Sequence, residues 1–282
     1  MIIIKLQYLG TAAAEAIPGV FCKCDTCEKS RKLGGRNIRT RSQAIVDDRL
    51  LIDLPPDTYM HSVMHNIELS KIQSCIITHA HLDHLYEKEL WCRQPGIAVN
   101  CSESLTVYAA EQGYDKIKKA LLECGMEKTN RVIPKKVVPF VSFEAEGYNI
   151  IPLKAWHDHL SSPVIYLIEK DGKSLLYAHD TGFFPEDTVD YLKKSNVKLN
   201  FVSFDCTGGM IPDENYGEGG HMNLLGAVKM RDILAQNGNI TGKTLCAVNH
   251  FSHNGTPIYD EISSAAKREG FVTSYDGMII QF

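Results

Sequence analysis

Short apolar runs bounded by turn residues alternate along this chain with stretches of helical period, and the two patterns define its expected elements. Strands are expected at Ile2–Tyr8, Ser42–Asp47, Arg49–Asp53, Ile72–Thr78, Tyr148–Trp156, Val164–Glu169, Ser174–Ala178, Leu199–Phe204, Leu245–Asn249 and Gly277–Phe282. Helices are expected between them at Thr58–Leu69, Ser104–Gln112, Lys116–Cys124, Asp187–Lys194, Asn223–Asn237 and Pro257–Arg268. The strands flanking Asp48 and those flanking Asp171-Gly172 read as hairpins, because a short polar turn separates two apolar runs. Hairpins mixed with strand–helix alternation predict packed sheets covered by helices, not one purely parallel sheet. No internal repeat, low-complexity tract or Pro/Ser-rich linker interrupts the pattern, so residues 1–282 are expected to form a single domain.

Candidate ligands recur where the apolar strands run out. His157 follows Ala155-Trp156, Asp180 follows Tyr177-Ala178-His179, and His250 follows Val248-Asn249. Strand ends at one edge of a sheet can converge on a cleft, so residues distant in sequence can share a site. The densest case is Thr78-His79-Ala80-His81-Leu82-Asp83-His84, directly after Cys75-Ile76-Ile77. Neutral imidazole and carboxylate in that density suit zinc, iron or manganese.

Composition narrows the class without naming a reaction. A chain of 282 residues, 44% hydrophobic and 23% charged, has the balance of a globular protein with a sizeable core. Its formal charge of −4 and lack of a basic run count against nucleic acid as the main partner. No apolar run approaches the roughly 20 residues that span a bilayer, so no membrane association is expected. Met1-Ile2-Ile3-Ile4-Lys5-Leu6 lacks the basic region and cleavage site of a signal peptide and reads as a buried strand. The nine cysteines are odd in number and mostly scattered. Cys75, Cys92, Cys101, Cys124, Cys206 and Cys246 read as buried thiols, and a cytoplasmic location is the expectation.

Cys22, Cys24 and Cys27 are different because they cluster, and in a reducing compartment such a cluster points to metal. A structural zinc takes four ligands with no open position. His253, three residues after His250, can supply the fourth, although a solvated loop histidine is an equal reading of the spacing. The His79–His84 turn is likewise incomplete by itself. His79 and His81 can serve one ion and Asp83 and His84 a second, each needing another nitrogen, with a shared carboxylate joining them. His157 or His159, together with Asp180 and His250, stand at strand ends to supply these. His61, His65 and His179 match no motif and read as surface or packing residues.

His-x-His-x-Asp-His followed by downstream His, Asp and His resembles the metallo-β-lactamase superfamily over most of the chain. The resemblance implies an α/β fold, a four-layer αββα sandwich carrying a dinuclear site. It places His79, His81 and His157 on one metal and Asp83, His84 and His250 on the other, with Asp180 bridging. Of the two candidates His157 is preferred, because it directly ends its strand, although His159 has the more typical spacing to Tyr166. Gly10-Thr11 with Pro18, the Cys-x-Cys-x-x-Cys cluster and His-x-Ser-His together resemble one subgroup. That subgroup is the phosphoribosyl 1,2-cyclic phosphate phosphodiesterases of the carbon–phosphorus lyase pathway. The subgroup implies a structural zinc on Cys22, Cys24, Cys27 and His253, and an additional active-site histidine at His221. Two departures stand out: Ala12-Ala13-Ala14 where the subgroup is richer in glycine, and an enlarged loop at Thr207–Gly219 that could reshape the pocket.

The leading expectation is therefore a dinuclear hydrolase cleaving a small phosphodiester, a cyclic sugar phosphate by resemblance, with a metal-bridging hydroxide as nucleophile. Asp83 and Asp180 would hold the metals and orient that hydroxide, and His221 would stabilise the phosphoryl oxygens or protonate the leaving alkoxide. The expected cofactors are two divalent catalytic metals, zinc or manganese with iron as a further choice, and one structural zinc. The alternatives keep the site and change the bond: a thioesterase or lactonase, or a nuclease. A redox role fits less well, because diiron relatives place an acidic residue where His81 stands. A binding protein that kept only the fold would not need the full ligand set. The small phosphodiester is the expected partner, and the sequence leaves a homodimer open.

Overall fold

The computed structural model describes residues 3–282. Sheet one takes β1 (Lys5–Gly10), β2 (Gln43–Val46), β3 (Leu50–Ile52), β4 (Ser74–Ile76), β5 (Leu105–Ala109) and β6 (Val132–Lys136). Sheet two takes β7 (Phe143–Ala145), β8 (Tyr148–Lys154), β9 (Val164–Lys170), β10 (Lys173–Ala178), β11 (Phe201–Asp205), β12 (Leu245–Asn249) and β13 (Val272–Thr273). The chain then returns to sheet one as β14 (Ile279–Gln281). The strand orders are β14-β1-β2-β3-β4-β5-β6 and β13-β12-β11-β10-β9-β8-β7. Both expected hairpins form, as the antiparallel pairs β2–β3 and β9–β10.

The two sheets pack face to face, and helices cover their outer faces, the αββα sandwich that the resemblance implies. Such strands are buried on both sides, so their alternate residues enter different cores. In β10, Leu175 and Tyr177 join the inter-sheet core while Leu176 and Ala178 join the outer one. The outer layer of sheet two is α4 (Glu186–Ser195), α5 (Leu224–Gln236) and α6 (Tyr259–Arg268), which contribute Leu192, Met230, Leu234 and Ile262. Over sheet one, α3 (Glu111–Glu123) contributes Ile117 and Leu121 against Cys75, Ile77 and Val107. Each fully buried aliphatic side chain is worth about 1.5–3 kcal/mol over its exposed state. The remaining helices, α1 (Asp25–Leu33) and α2 (Thr58–Met64), lie in the β1–β2 and β3–β4 connections.

Two expectations change. Of the expected helix Ser104–Gln112 only Glu111 and Gln112 are helical, as the start of α3; Leu105–Ala109 is β5, paired in parallel with both β4 and β6. Leu105, Val107 and Ala109 face the outer core and Tyr108 the inner one, so sheet pairing and two-sided burial override the helix-like pattern. The expected helix at Thr58–Leu69 ends at Met64, and Leu69–Lys71 is a separate 3₁₀ turn. Ile2, in the expected first strand, lies outside the described residues. The strands β6, β7 and β13 and the helix α1 went unanticipated, being short or masked by charged residues.

His61 and His179 are deeply buried packing residues, and His65 donates to the Leu9 carbonyl at 2.9 Å. His61 Nδ1 donates to Gln43 Oε1 at 2.6 Å, and its Nε2 lies 2.7 Å from Thr40 Oγ1. Burial lowers its pKa to about 4. The folded pKa thus lies below the unfolded value of about 6.5, so the stability His61 contributes is complete above pH ~6.5. It is lost as pH falls towards 4, to the extent of about 3 kcal/mol. Urea unfolding of wild type and His61→Gln at several pH values should show a shallower acid slope in the variant. Identical slopes would remove His61 as a source of acid lability.

Candidate metal centre

Parallel strands β3 and β4 and the ends of β8, β10, β11 and β12 all deliver their last residues to one edge of the sandwich. There Asp180 Oδ2 lies 3.0 Å from His79 Nε2, 3.3 Å from His84 Nε2, 3.5 Å from His157 Nε2 and 3.9 Å from His250 Nε2. On one side, His81 Nδ1 is 3.0 Å from His79 Nε2 and 3.1 Å from His157 Nε2. On the other, His84 Nε2 is 3.1 Å from His250 Nε2 and 3.3 Å from Asp83 Oδ2. Ligand atoms of His79, His81, His157 and Asp180 lie within 4.8 Å of one another, as do those of Asp83, His84, Asp180 and His250. His159 stands outside this cluster, its ring 4.9 Å from that of Trp156.

Each imidazole has a partner on the nitrogen that points away from the cluster. His84 Nδ1 donates to Asp53 Oδ2 at 2.8 Å, and His81 Nε2 donates to Asp158 Oδ2 at 3.0 Å. His157 Nδ1 donates to the Gly220 carbonyl at 3.2 Å, and His79 Nδ1 lies 3.2 Å from Thr78 Oγ1. His250 Nδ1 donates to Thr207 Oγ1 at 2.8 Å, and the Thr207 hydroxyl donates in turn to Asp205 Oδ2 at 2.9 Å. These outer bonds orient each ring and turn its other nitrogen towards the cluster, the arrangement usual for metal-binding histidine. Asp180 and His250 hold left-handed backbone, with φ of 53° and 64°. Strain of this kind, roughly 1–3 kcal/mol per residue, persists where surrounding structure over-determines it.

The electrostatics favour a cation. Burial opposes charge on all these groups, but their mutual pairing outweighs it at three. His84, beside Asp83 and Asp53, is raised well above its ordinary pKa, and Asp83 and Asp180 are held well below the usual carboxylate range by their histidines. At His79 burial prevails, lowering the pKa to about 4, and His157 is lowered for the same reason. Ionised carboxylates buried here call for compensating positive charge, which a proton on His84 supplies in part and which bound cations would supply in its place. Tetrahedral zinc with bonds of about 2.0–2.1 Å needs donor separations of about 3.4 Å, close to those present. The donor set therefore fits a pair of divalent cations sharing Asp180.

His221 borders this centre. Gly220, with φ of 94°, turns the chain, Met222 N donates to Asp205 Oδ1 at 2.7 Å, and Asn223 caps α5 through Gly226 N. His221 Nδ1 lies 2.9 Å from Asp180 Oδ1, yet neither atom has a well-formed hydrogen bond. Burial works against protonation of the ring, but Asp180, with Asp205 and Asp83 behind it, raises its pKa to about 9. Cations at Asp180 would compete for that carboxylate and reduce the lift.

Asp53 and Asp205 are the residues that sequence reasoning missed. Both are fully buried. Asp53 also accepts from Thr78 N at 2.7 Å, and Asp205 accepts from Asp180 N at 3.0 Å, so each carboxylate sets both a ligand and its loop. The signal was present, since each ends an apolar strand as Asp180 nearly does. The enlarged loop packs beside the centre: Trp156 Nε1 donates to the Glu218 carbonyl at 2.8 Å, and Phe183 N donates to the Gly217 carbonyl at 2.8 Å.

A second cluster lies on the far side of His250. Cys22, Cys24, Cys27 and His253 bring their ligand atoms within 4.8 Å of one another, with His253 Nδ1 3.5 Å from Cys24 Sγ and 3.8 Å from Cys22 Sγ. Gly19 N donates to Cys27 Sγ at 3.2 Å. A Cβ at Gly19 would sit 3.2 Å from His253 Nε2, which makes the close approach of this loop glycine-dependent. The four donors fit a closed tetrahedral site with no position for substrate.

The sequence model of the beta-lactamase superfamily domain matches residues 48–238. No curated protein sequence matches the chain. Among solved structures, a new diphosphatase from the PhnP family is similar at 21% identity, with a TM-score of 0.74 over 100% of this chain and 98% of that one. Zn(2+)-bound PqqB from Methylobacterium extorquens is similar at 19% identity and TM-score 0.77, covering 98% of this chain and 99% of its own. The short form of human tRNase Z is similar at 16% identity and TM-score 0.65, covering 98% of each. At these identities the likeness is one of fold. With the family model spanning more than half of its length, the chain belongs to the beta-lactamase superfamily and is a hydrolase of the metallo-β-lactamase fold.

Proposed function

We propose that this hydrolase cleaves a small phosphodiester, a cyclic sugar phosphate being the favoured form, at a dinuclear centre. The observation that carries the centre is the convergence on the carboxylate of Asp180 of four imidazoles within 3.9 Å and of His81 within 4.8 Å, each with its outer nitrogen occupied. Under this reading His79, His81 and His157 hold one cation, and Asp83, His84 and His250 hold the other. Two bound divalent cations supply Lewis acidity and lower the pKa of coordinated water towards about 7. Zinc and manganese both suit this donor set, and iron is a further choice. Cys22, Cys24, Cys27 and His253 would hold a structural zinc.

The choice of phosphodiester over acyl substrates is supported by His221. Its half-open ring, near the centre but outside both ligand sets, can face the non-bridging oxygens of a phosphoryl group and donate a proton to the departing alkoxide. A diphosphatase and a tRNase Z among the structures of like fold are in keeping with phosphorus chemistry. No helix among the described residues is long and apolar enough to cross a membrane.

A metal-reconstituted assay across cyclic phosphodiesters, linear phosphodiesters, thioesters and lactones tests the reading. Phosphodiesters should be the best substrates, and His221→Ala should lower kcat by about 10²–10³-fold with the catalytic metals still bound. Faster turnover of thioesters or lactones would replace the reading with acyl hydrolysis. Unchanged phosphodiester turnover by the variant would remove His221 from the mechanism.

A further inference from the structure

His179 belongs to neither ligand set, yet it stands directly before Asp180, as Asn249 stands directly before His250. Both are buried, at 1% and 0% exposure. His179 follows β10 and Asn249 ends β12, and β11 lies between these two strands. Their side chains meet across it: Asn249 Nδ2 donates to His179 Nδ1 at 3.0 Å. The other nitrogen, His179 Nε2, donates to Ser203 Oγ of β11 at 2.6 Å, and Ser203 is bonded to Tyr8 OH of sheet one. One polar chain thus spans β10, β11 and β12 and is anchored on the facing sheet.

The partners fix the role of each atom. Ser274 Oγ donates to Asn249 Oδ1 at 2.5 Å, which leaves the Asn249 amide to face His179. Burial holds the His179 ring neutral, its pKa well below the ordinary value, so one nitrogen accepts while the other donates. The next residue on each strand depends on this arrangement. Asp180 and His250 have φ of 53° and 64°, conformations that persist in non-glycine residues only where the surroundings over-determine them. The bond from Asp180 N to Asp205 Oδ2 at 3.0 Å holds one side of the Asp180 turn. The His179–Asn249 bond ties that turn to the one at His250.

We propose that His179 and Asn249 are positioning residues whose side-chain bond sets the separation of Asp180 and His250 and so pre-forms the site of the catalytic cations. The proposal rests on the dinuclear reading, in which Asp180 and His250 are ligands. Packing alone asks only for a ring of this volume. The clamp asks for an acceptor at the place of Nδ1.

Two replacements separate these demands. Asn places its side-chain oxygen where Nδ1 stands and still accepts from Asn249, whereas Gln places its amide where Nε2 stands and keeps only the Ser203 side. Each protein, shown to be folded by a cooperative thermal transition, is stripped of catalytic cations and titrated with zinc. His179→Gln should bind zinc at the centre about 10–100-fold more weakly than wild type, and His179→Asn should recover most of that loss. Asn249→Leu, similar in size and without a donor, should match His179→Gln, and the double variant should be no worse than either single one. Hydrogen exchange of the stripped protein should quicken in peptides covering 179–182 and 249–252 in His179→Gln and Asn249→Leu, but not in His179→Asn. If His179→Gln does not fold, Asn249→Leu set against His179→Asn carries the same contrast. Equal losses in both His179 variants, or additive losses in the double variant, would overturn the clamp in favour of packing. No zinc binding at the centre of wild type would instead sink the dinuclear reading, and the exchange pattern would still decide whether the clamp orders the two turns.

Discussion

Replacing Asp180 by Ala is expected to empty the centre of cations and abolish turnover together. Asp180 Oδ2 is within 3.9 Å of four imidazole nitrogens from both ligand sets, closer to each set than any other carboxylate oxygen shared between them. Under the proposed dinuclear reading, losing it would remove a ligand from each cation at once. It also leaves the five imidazoles facing one another with less negative charge to hold them. Outer-shell substitutions around metals cost 10–100-fold; loss of a shared inner ligand should exceed this, on the order of 10³-fold or more in kcat/KM. Metal analysis after dialysis should show the catalytic cations depleted and the Cys₃His cation retained. A variant that kept two catalytic cations and near-normal turnover would show that Asp180 is not the bridge.

Cys27→Ala should have its largest effect on stability. Cys27 is fully buried, and its Sγ accepts from Gly19 N. The loop it anchors contacts Cys22, Cys24 and His253 and little of the three apolar cores. A structural cation there would link residues far apart in the chain, so its loss would free the loop and the His250–His253 turn together. The expected cost is several kcal/mol, roughly 10 °C in melting temperature for a chain of this size, with one zinc fewer per molecule. Turnover should fall as well, because Phe251 N and O are bonded to Thr11 and Ala13 beside the freed loop and His250 is the next residue. Unchanged zinc content and melting temperature would make these four residues an unmetallated cluster.

Much of the framework was legible because burial on both faces of a strand leaves a nearly continuous apolar run. The runs around Leu175–Ala178 and Leu245–Asn249 are of this kind, and each forms a central strand of sheet two. Ser104–Gln112 misled because helix and strand patterns converge in short segments, and the pairing of β5 with β4 and β6 is a long-range fact. α1 was hidden behind the cysteine cluster, its charged residues giving little apolar period.

For the site, residue type and local spacing carried far. Three imidazoles and a carboxylate in one turn announce metal chemistry whatever the fold, since such groups are costly to bring together without a cation. By itself the sequence thus determined the residue types gathered at the site, the strand ends that feed it and the family. Only the tertiary structure decided which groups meet. It turned His157 inward and His159 towards Trp156, and put Asp53 and Asp205 behind His84 and His250. Those outcomes depend on ring orientation and sheet packing over separations of up to 166 residues, and no local pattern encodes them.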